Sequence, residues 1–186
     1  FVVAPDWRGF GATDVEAAAF WFPDYLADLD QILEHYSPDA PVRLVGHSMG
    51  GNVAGLYAGA CPDRVAAFVN LEGFGLPDSD PVDAPRRYRE WLNKGRNPPG
   101  PVERPDFDAL TGAIAKRSPR LSRDRAGFVA RCWAQPTSSD QVRLRMHPAH
   151  KLPNPVLYRR AEAEACWRAI TAGRLSTAKI SPARSP

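Results

Sequence analysis

Ser48 stands in Leu44-Val45-Gly46-His47-Ser48-Met49-Gly50-Gly51, and the glycines around it suggest chemistry. A serine hydroxyl is a weak nucleophile until the backbone projects it clear of its neighbours and a base stands beside it. Gly46-x-Ser48-x-Gly50 is the spacing of a tight turn that carries a strand into a helix with the serine at its apex. Side chains at positions 46 and 50 would clash in such a turn, so both places need glycine. A helix starting at Met49 would turn its N-terminal N–H groups and positive dipole end toward a reacting centre. The backbone N–H of Met49 is then one donor to the oxyanion of a tetrahedral intermediate. The competing reading is a phosphate-cradling glycine loop, but no lysine follows at the required place.

The elements on either side fit that turn. Val42-Arg43-Leu44-Val45 is a short apolar strand. Met49 to Ala60 reads as a helix whose Gly50, Gly51, Ala54, Gly55 and Ala58 permit close approach to a sheet. Val65 to Leu71 is a further strand, and Phe1-Val2-Val3-Ala4 an earlier one that ends at Pro5-Asp6. A helix over 24–36 carries Tyr25, Leu26, Leu29, Ile32, Leu33 and Tyr36 at helical spacing, with Pro23 at its start. Strands separated by helices of this length imply a parallel sheet. After Gly75 the pattern becomes helical, with stretches at 84–95, 107–117, 123–134 and 155–172. Asn154 and Pro155 are the expected N-cap and first residue of the last. Residues 173–186 lose all acidic residues, gain Ser, Pro, Arg and Lys, and read as a disordered tail.

Three segments together resemble the α/β-hydrolase-fold serine hydrolases: Pro5-Asp6-Trp7-Arg8-Gly9-Phe10-Gly11, Gly46-His47-Ser48-Met49-Gly50-Gly51 and Asn70-Leu71-Glu72-Gly73. The resemblance spans residues 1 to about 172. It implies a partial α/β-hydrolase fold: a three-stranded parallel core over 1–74, with the family's fourth to sixth strands, and a helical cap over 75–172. It also implies a Ser nucleophile, a carboxylate, a histidine, two oxyanion donors and neither cofactor nor metal. Some members carry the carboxylate directly after the strand that here ends at Leu71, which makes Glu72 the candidate acid. The alternative is that Glu72 anchors the loop into the cap. Serine rather than aspartate at 48 argues against epoxide and haloalkane chemistry. It favours acyl transfer to water from a small, apolar carbonyl substrate, as in an esterase or lipase, or carbon–carbon cleavage next to a carbonyl.

The family's histidine lies beyond the last strand, and no apolar strand pattern follows residue 172. The chain therefore reads as the middle of a hydrolase, inactive or impaired as it stands. The alternatives are a non-catalytic truncated protein and a basic helical binding module. The change of composition after Ala172 would fit a frameshift or a misplaced gene end. Asp6 is expected to cap the turn at Arg8–Gly11, and Asp78 and Asp80 to serve turns. His35 lies near a helix C-terminus, His47 should line the pocket or pack beneath the cap, and His147 and His150 fall in the cap. The aromatics Tyr88, Trp91, Phe107, Phe128, Trp133, Tyr158 and Trp167 are expected mostly in the core, with a few lining an acyl pocket.

Composition bounds the rest. The 186 residues suggest one domain, and 44% apolar with 24% charged residues suits a folded chain. No apolar run approaches the roughly 20 residues of a membrane helix, and the start lacks a secretory pattern. Cys61, Cys132 and Cys166 are too far apart for metal-ligand spacing and read as thiols in a reducing cytoplasm. The charge is uneven, net −9 over residues 1–80 and net +12 over 81–186. With no basic block of five, the basic half reads as a solvated helical surface rather than one for nucleic acid or membrane.

Overall fold

The structure is a computed structural model that describes residues 1–13, 15, 17, 20–137 and 140–171, with the backbone of 176–178. Its contacts divide the chain into two compact units, one of residues 1–20 and 88–154, the other of residues 21–87 and 155–186.

The second unit holds the sheet. Strand β1 (Val42–His47) pairs in parallel with β2 (Val65–Leu71), and β2 pairs in parallel with β6 (Ser176–Ala178). Helix α2 (Met49–Ala60) packs on β1 and β2, and α1 (Phe22–Tyr36) and α6 (Arg160–Arg168) both pack on α2. The apolar stripe read from the sequence is the face α1 buries, with Tyr25, Leu29 and Leu33 inside. They meet a core of Val53, Ala54, Tyr57, Ala58, Val65 and Phe68. Burying a Phe or Leu side chain in this way contributes about 1.5–3 kcal/mol. The Tyr57 hydroxyl donates to Asp30 Oδ1 at 2.8 Å, tying α2 to α1. Burial, then that carboxylate, pushes the Tyr57 pKa up to about 12. On α6, Cys166 backbone stands where a Cβ on Gly59 would lie, so glycine there lets the helices touch.

The sheet is parallel and three-stranded, but its membership differs from expectation. Residues 1–4 form no strand; Phe1 and Val2 are fully or nearly fully exposed. A β-branched run becomes a strand only by pairing, and among the described residues β1 pairs with β2 alone. The third strand is β6, inside the stretch expected as a tail; the rest of 173–186 lies outside the described residues. The last helix starts at Arg160, not Pro155. Its first N–H is taken by Asp78 Oδ1 at 3.0 Å, and the Tyr158 carbonyl by Ser79 N at 3.2 Å. These tertiary bonds hold 155–159 out of the helix and override the local capping signal.

The other unit is built from α4 (Phe107–Arg117), α5 (Arg123–Trp133) and a small antiparallel sheet. In that sheet β3 (Glu103–Arg104) and β4 (Ala134–Pro136) flank β5 (Val142–Leu144). Asp106 caps α4 through Ala109 N at 2.7 Å, and Ser122 caps α5 through Arg125 N. Leu110, Ile114, Ala126, Ala130, Ala134 and Val142 form its core. Of the aromatics expected inside, Phe128, Trp133 and Tyr88 are half exposed or more. Small alanines let α4 and α5 approach, leaving Phe128 and Trp133 on the outer face of α5, while Tyr88 lies on α3 (Ala84–Arg96). Helix α3 buries no residue.

Candidate active site

Strands β1 and β2 end in register, with His47 opposite Leu71. Both chains then take a positive φ at a residue that is not glycine: Ser48 at φ 51°, ψ −113°, and Glu72 at φ 61°. Such a conformation costs on the order of 1–3 kcal/mol and persists only where surrounding structure enforces it.

Close approaches at three glycines supply that enforcement. A Cβ on Gly46 would overlap the Gly50 carbonyl oxygen and lie 2.6 Å from Gly51 N. One on Gly51 would lie 2.5 Å from Asn70 Oδ1 and 3.0 Å from Gly73 Cα. One on Gly73 would lie 2.6 Å from Asn52 N. Polar bonds close the rest of the turn. Ser48 N donates to Leu71 O at 2.7 Å, and Asn52 N donates to Ser48 O at 3.0 Å. The buried Asn70 amide bonds both ends of one residue, donating to Gly73 O and accepting from Gly73 N, each at 2.7 Å. The buried Asn52 accepts from Gly75 N at 2.8 Å. The two buried asparagines of this unit thus fix the loop that follows Glu72, and Asn70 sits on β2 two residues before it.

Ser48 and Glu72 are both exposed. Met49 is the first residue of α2, so its N–H has no partner within the helix. Glu72 Oε2 lies 3.9 Å from His47 Nε2, at the outer limit of an ion pair, with both side chains open to solvent. A pair so exposed and so long contributes little stability. Together the elements present an exposed hydroxyl at the N-terminus of a helix with a carboxylate and an imidazole at the neighbouring strand ends. That set has the components for acyl transfer, although no imidazole among the described residues is hydrogen-bonded to the Ser48 hydroxyl.

The other candidates do structural work. Asp6 Oδ2 accepts from Ala12 N at 3.0 Å and its carbonyl from the Thr13 hydroxyl, so it builds the 6–13 turn. Asp80 caps Val82 N at 2.9 Å, and His35 packs edge-on against Tyr36. His150 is stacked between Phe10, at 4.0 Å, and Phe20, at 3.8 Å, with Nε2 3.3 Å from the Arg8 carbonyl. Burial lowers its pKa, with that carbonyl opposing. His147 Nδ1 accepts from Ala149 N at 3.2 Å. The sequence reading assigned no role to Asn52 or Asn70. The available signal was an asparagine one residue before the end of an apolar strand, where only a fully bonded amide is tolerated.

The chain matches the α/β hydrolase fold family over residues 1–164, and it belongs to that family. It is 31% identical over 93 residues to a serine hydrolase-like protein of Danio rerio, a match covering 49% of this chain and 28% of that protein. It is 39% identical over 71 residues to epoxide hydrolase 2 of Siraitia grosvenorii, covering 37% of this chain and 22% of that one. The chain spans 22–28% of the length of these two relatives. A crystal structure of a hypothetical protein from Pseudomonas aeruginosa superposes with a TM-score of 0.80 at 23% identity, covering 92% of this chain and 61% of that one. That likeness shows the fold. No helix among the described residues is long and apolar enough to cross a membrane.

Proposed function

We propose that this chain carries the nucleophile of a serine hydrolase, with Ser48 as the attacking hydroxyl and Met49 N–H as an oxyanion donor. The observation that carries the reading is the strained backbone of Ser48 at the β1–α2 junction, with its side chain exposed. A serine with no chemical task gains nothing from φ 51° there. Glu72 is the candidate acid, and its place beside the β1 end supports a role in orienting an imidazole. In this reading the family's helical cap falls within residues 75–172, in the part that α4 and α5 build.

The substrate is a small molecule with an acyl carbonyl and an apolar body, and the chemistry is that of an esterase or lipase. The relative named for epoxide hydrolysis does not favour that reaction here, because an ester-type intermediate on an aspartate needs a carboxylate where this chain has Ser48. The free thiols Cys61, Cys132 and Cys166 suit a reducing cytoplasm. The chain should hydrolyse esters slowly. A positioned base contributes typically 10²–10⁴-fold, and none is bonded to Ser48 among the described residues. Hydrolysis of 4-nitrophenyl butyrate should exceed the buffer rate weakly and fall to it in Ser48→Ala. Equal rates in the two proteins would sink the reading.

A further inference from the structure

A cleft of about 530 Å³ opens in the unit of residues 1–20 and 88–154, and it shares no residue with the Ser48 turn. Its volume lies within the roughly 300–1,000 Å³ of small-molecule sites. One wall is the face of α3 that carries Trp91, Leu92 and Arg96 and runs on into Pro98-Pro99. The other is the 3₁₀ turn Pro148–Lys151 with His147 before it and Leu152 after.

Three features point to one class of ligand. The lining is mostly apolar, and Leu92 is half exposed on a helix that buries nothing, so apolar surface there lacks a protein partner. The walls are stiff, because Pro98, Pro99 and Pro148 fix their own φ and lose little freedom when a ligand arrives. Arg96 and His147 are the polar side chains of the lining, and each can offer an N–H. Arg96 is the one charged residue in the lining, and its bond on the protein is a long one from Nη1 to Asn93 Oδ1 at 3.4 Å. Among the described residues it has no carboxylate partner, whereas Lys94 on the same helix pairs with Glu90 at 3.1 Å. His147 accepts the Ala149 N–H at Nδ1, which leaves its proton on Nε2 as a second donor.

We infer that this cleft binds a small amphipathic carboxylate, its chain on Trp91 and Leu92 and its head on Arg96 and His147. A guanidinium fork matches a carboxylate, and an alcohol or an ammonium head would leave it unpaired or opposed. Octanoate is the probe, with octanol and octylammonium as controls, titrated into the full chain carrying Ser48→Ala. This background keeps the result separate from any reaction at Ser48. The readouts are calorimetry and the Trp91 indole N–H resonance, assigned with Trp91→Phe. Octanoate should bind saturably and shift that resonance. Octanol should bind about fivefold more weakly or worse, and octylammonium weaker still. Arg96→Gln, at an exposed position, should weaken octanoate about fivefold and leave octanol unchanged. Leu92→Glu should weaken both. Equal affinity for octanoate and octanol, an unshifted Trp91 resonance, or an unaffected Arg96→Gln protein would each overturn the inference.

Discussion

The end of β1 and the connection from β4 to β5 each contain a non-glycine residue at positive φ, yet the two belong to different kinds of structure. In that connection, Asp140 has φ 59° just before Gln141. Asp enters that region more readily than most residues, and hairpin loops commonly need one residue there. Thr137 N donates to Gln141 O at 2.8 Å, so the residues on either side bond each other directly. At the strand ends, Ser48 (φ 51°, ψ −113°) and Glu72 (φ 61°) also take a positive φ, without such help from residue type. Gly46, Gly51, Gly73 and two buried asparagines hold them there. The histidines offer the same contrast. His150 is stacked and half buried, whereas His47 is exposed and only loosely facing Glu72. At the strand ends the strain is enforced from outside and polar groups stand open; at Asp140 the strain suits the residue, and at His150 the polar group is already satisfied.

The largest effect should come from Gly46→Ala. Its methyl has no room against the Gly50 carbonyl, so the turn must open at a cost of about 3 kcal/mol or more. Thermal melting should show a drop of roughly 6–12 °C. Gly112→Ala in α4 is the control, since a Cβ there meets nothing within 4 Å; it should stabilise by about 0.5–1 kcal/mol. Next comes Asn70→Ala, which strands the N–H and carbonyl of buried Gly73. Urea unfolding should register a loss of about 2–3 kcal/mol. If Asn70→Ala is neutral, the loop after Glu72 is not held as described.

A smaller change of opposite sign separates the two kinds of strain. Glu72→Gly should stabilise by about 1 kcal/mol and reduce any ester hydrolysis, while Asp140→Gly should shift stability by no more than about 0.5 kcal/mol. The smallest effect is a pH slope. His150 has a pKa below its ordinary 6.5 in the fold. The unfolded chain therefore takes up that proton first as pH falls. The associated stability is complete above about pH 6.5 and is lost as pH falls from there through the lower folded value. Melting temperatures across that window should slope less in His150→Leu than in the parent protein.

The sequence made the elbow legible because its signal is local: an apolar strand, Gly46-x-Ser48-x-Gly50, then a Gly/Ala helix. Helices α2, α4 and α5 and strand β2 were readable for the same reason, each having its own periodicity or cap. The misreadings were decided by distant partners. Phe1–Ala4 has strand composition but no strand beside it, whereas the polar Ser176–Ala178 forms a strand because β2 offers an edge. The start of α6 moved five residues because Asp78, 82 positions away, supplies its first acceptor. The clamp of Asn70 on Gly73 is three residues long, but its meaning depends on Gly51 packing from another element.

The account rests on Ser48 being a prepared nucleophile that lacks a bonded base, and chemical rescue tests both parts at once. The chain is incubated with an alkyl fluorophosphonate, with and without imidazole, and the modified residue is located by mass spectrometry. Labelling should be slow alone and confined to Ser48. It should rise roughly tenfold with imidazole, short of the roughly 10²–10⁴-fold that a positioned base is worth, and vanish in Ser48→Ala. Labelling that imidazole does not accelerate, or that falls on other serines as readily as on Ser48, would contradict the account.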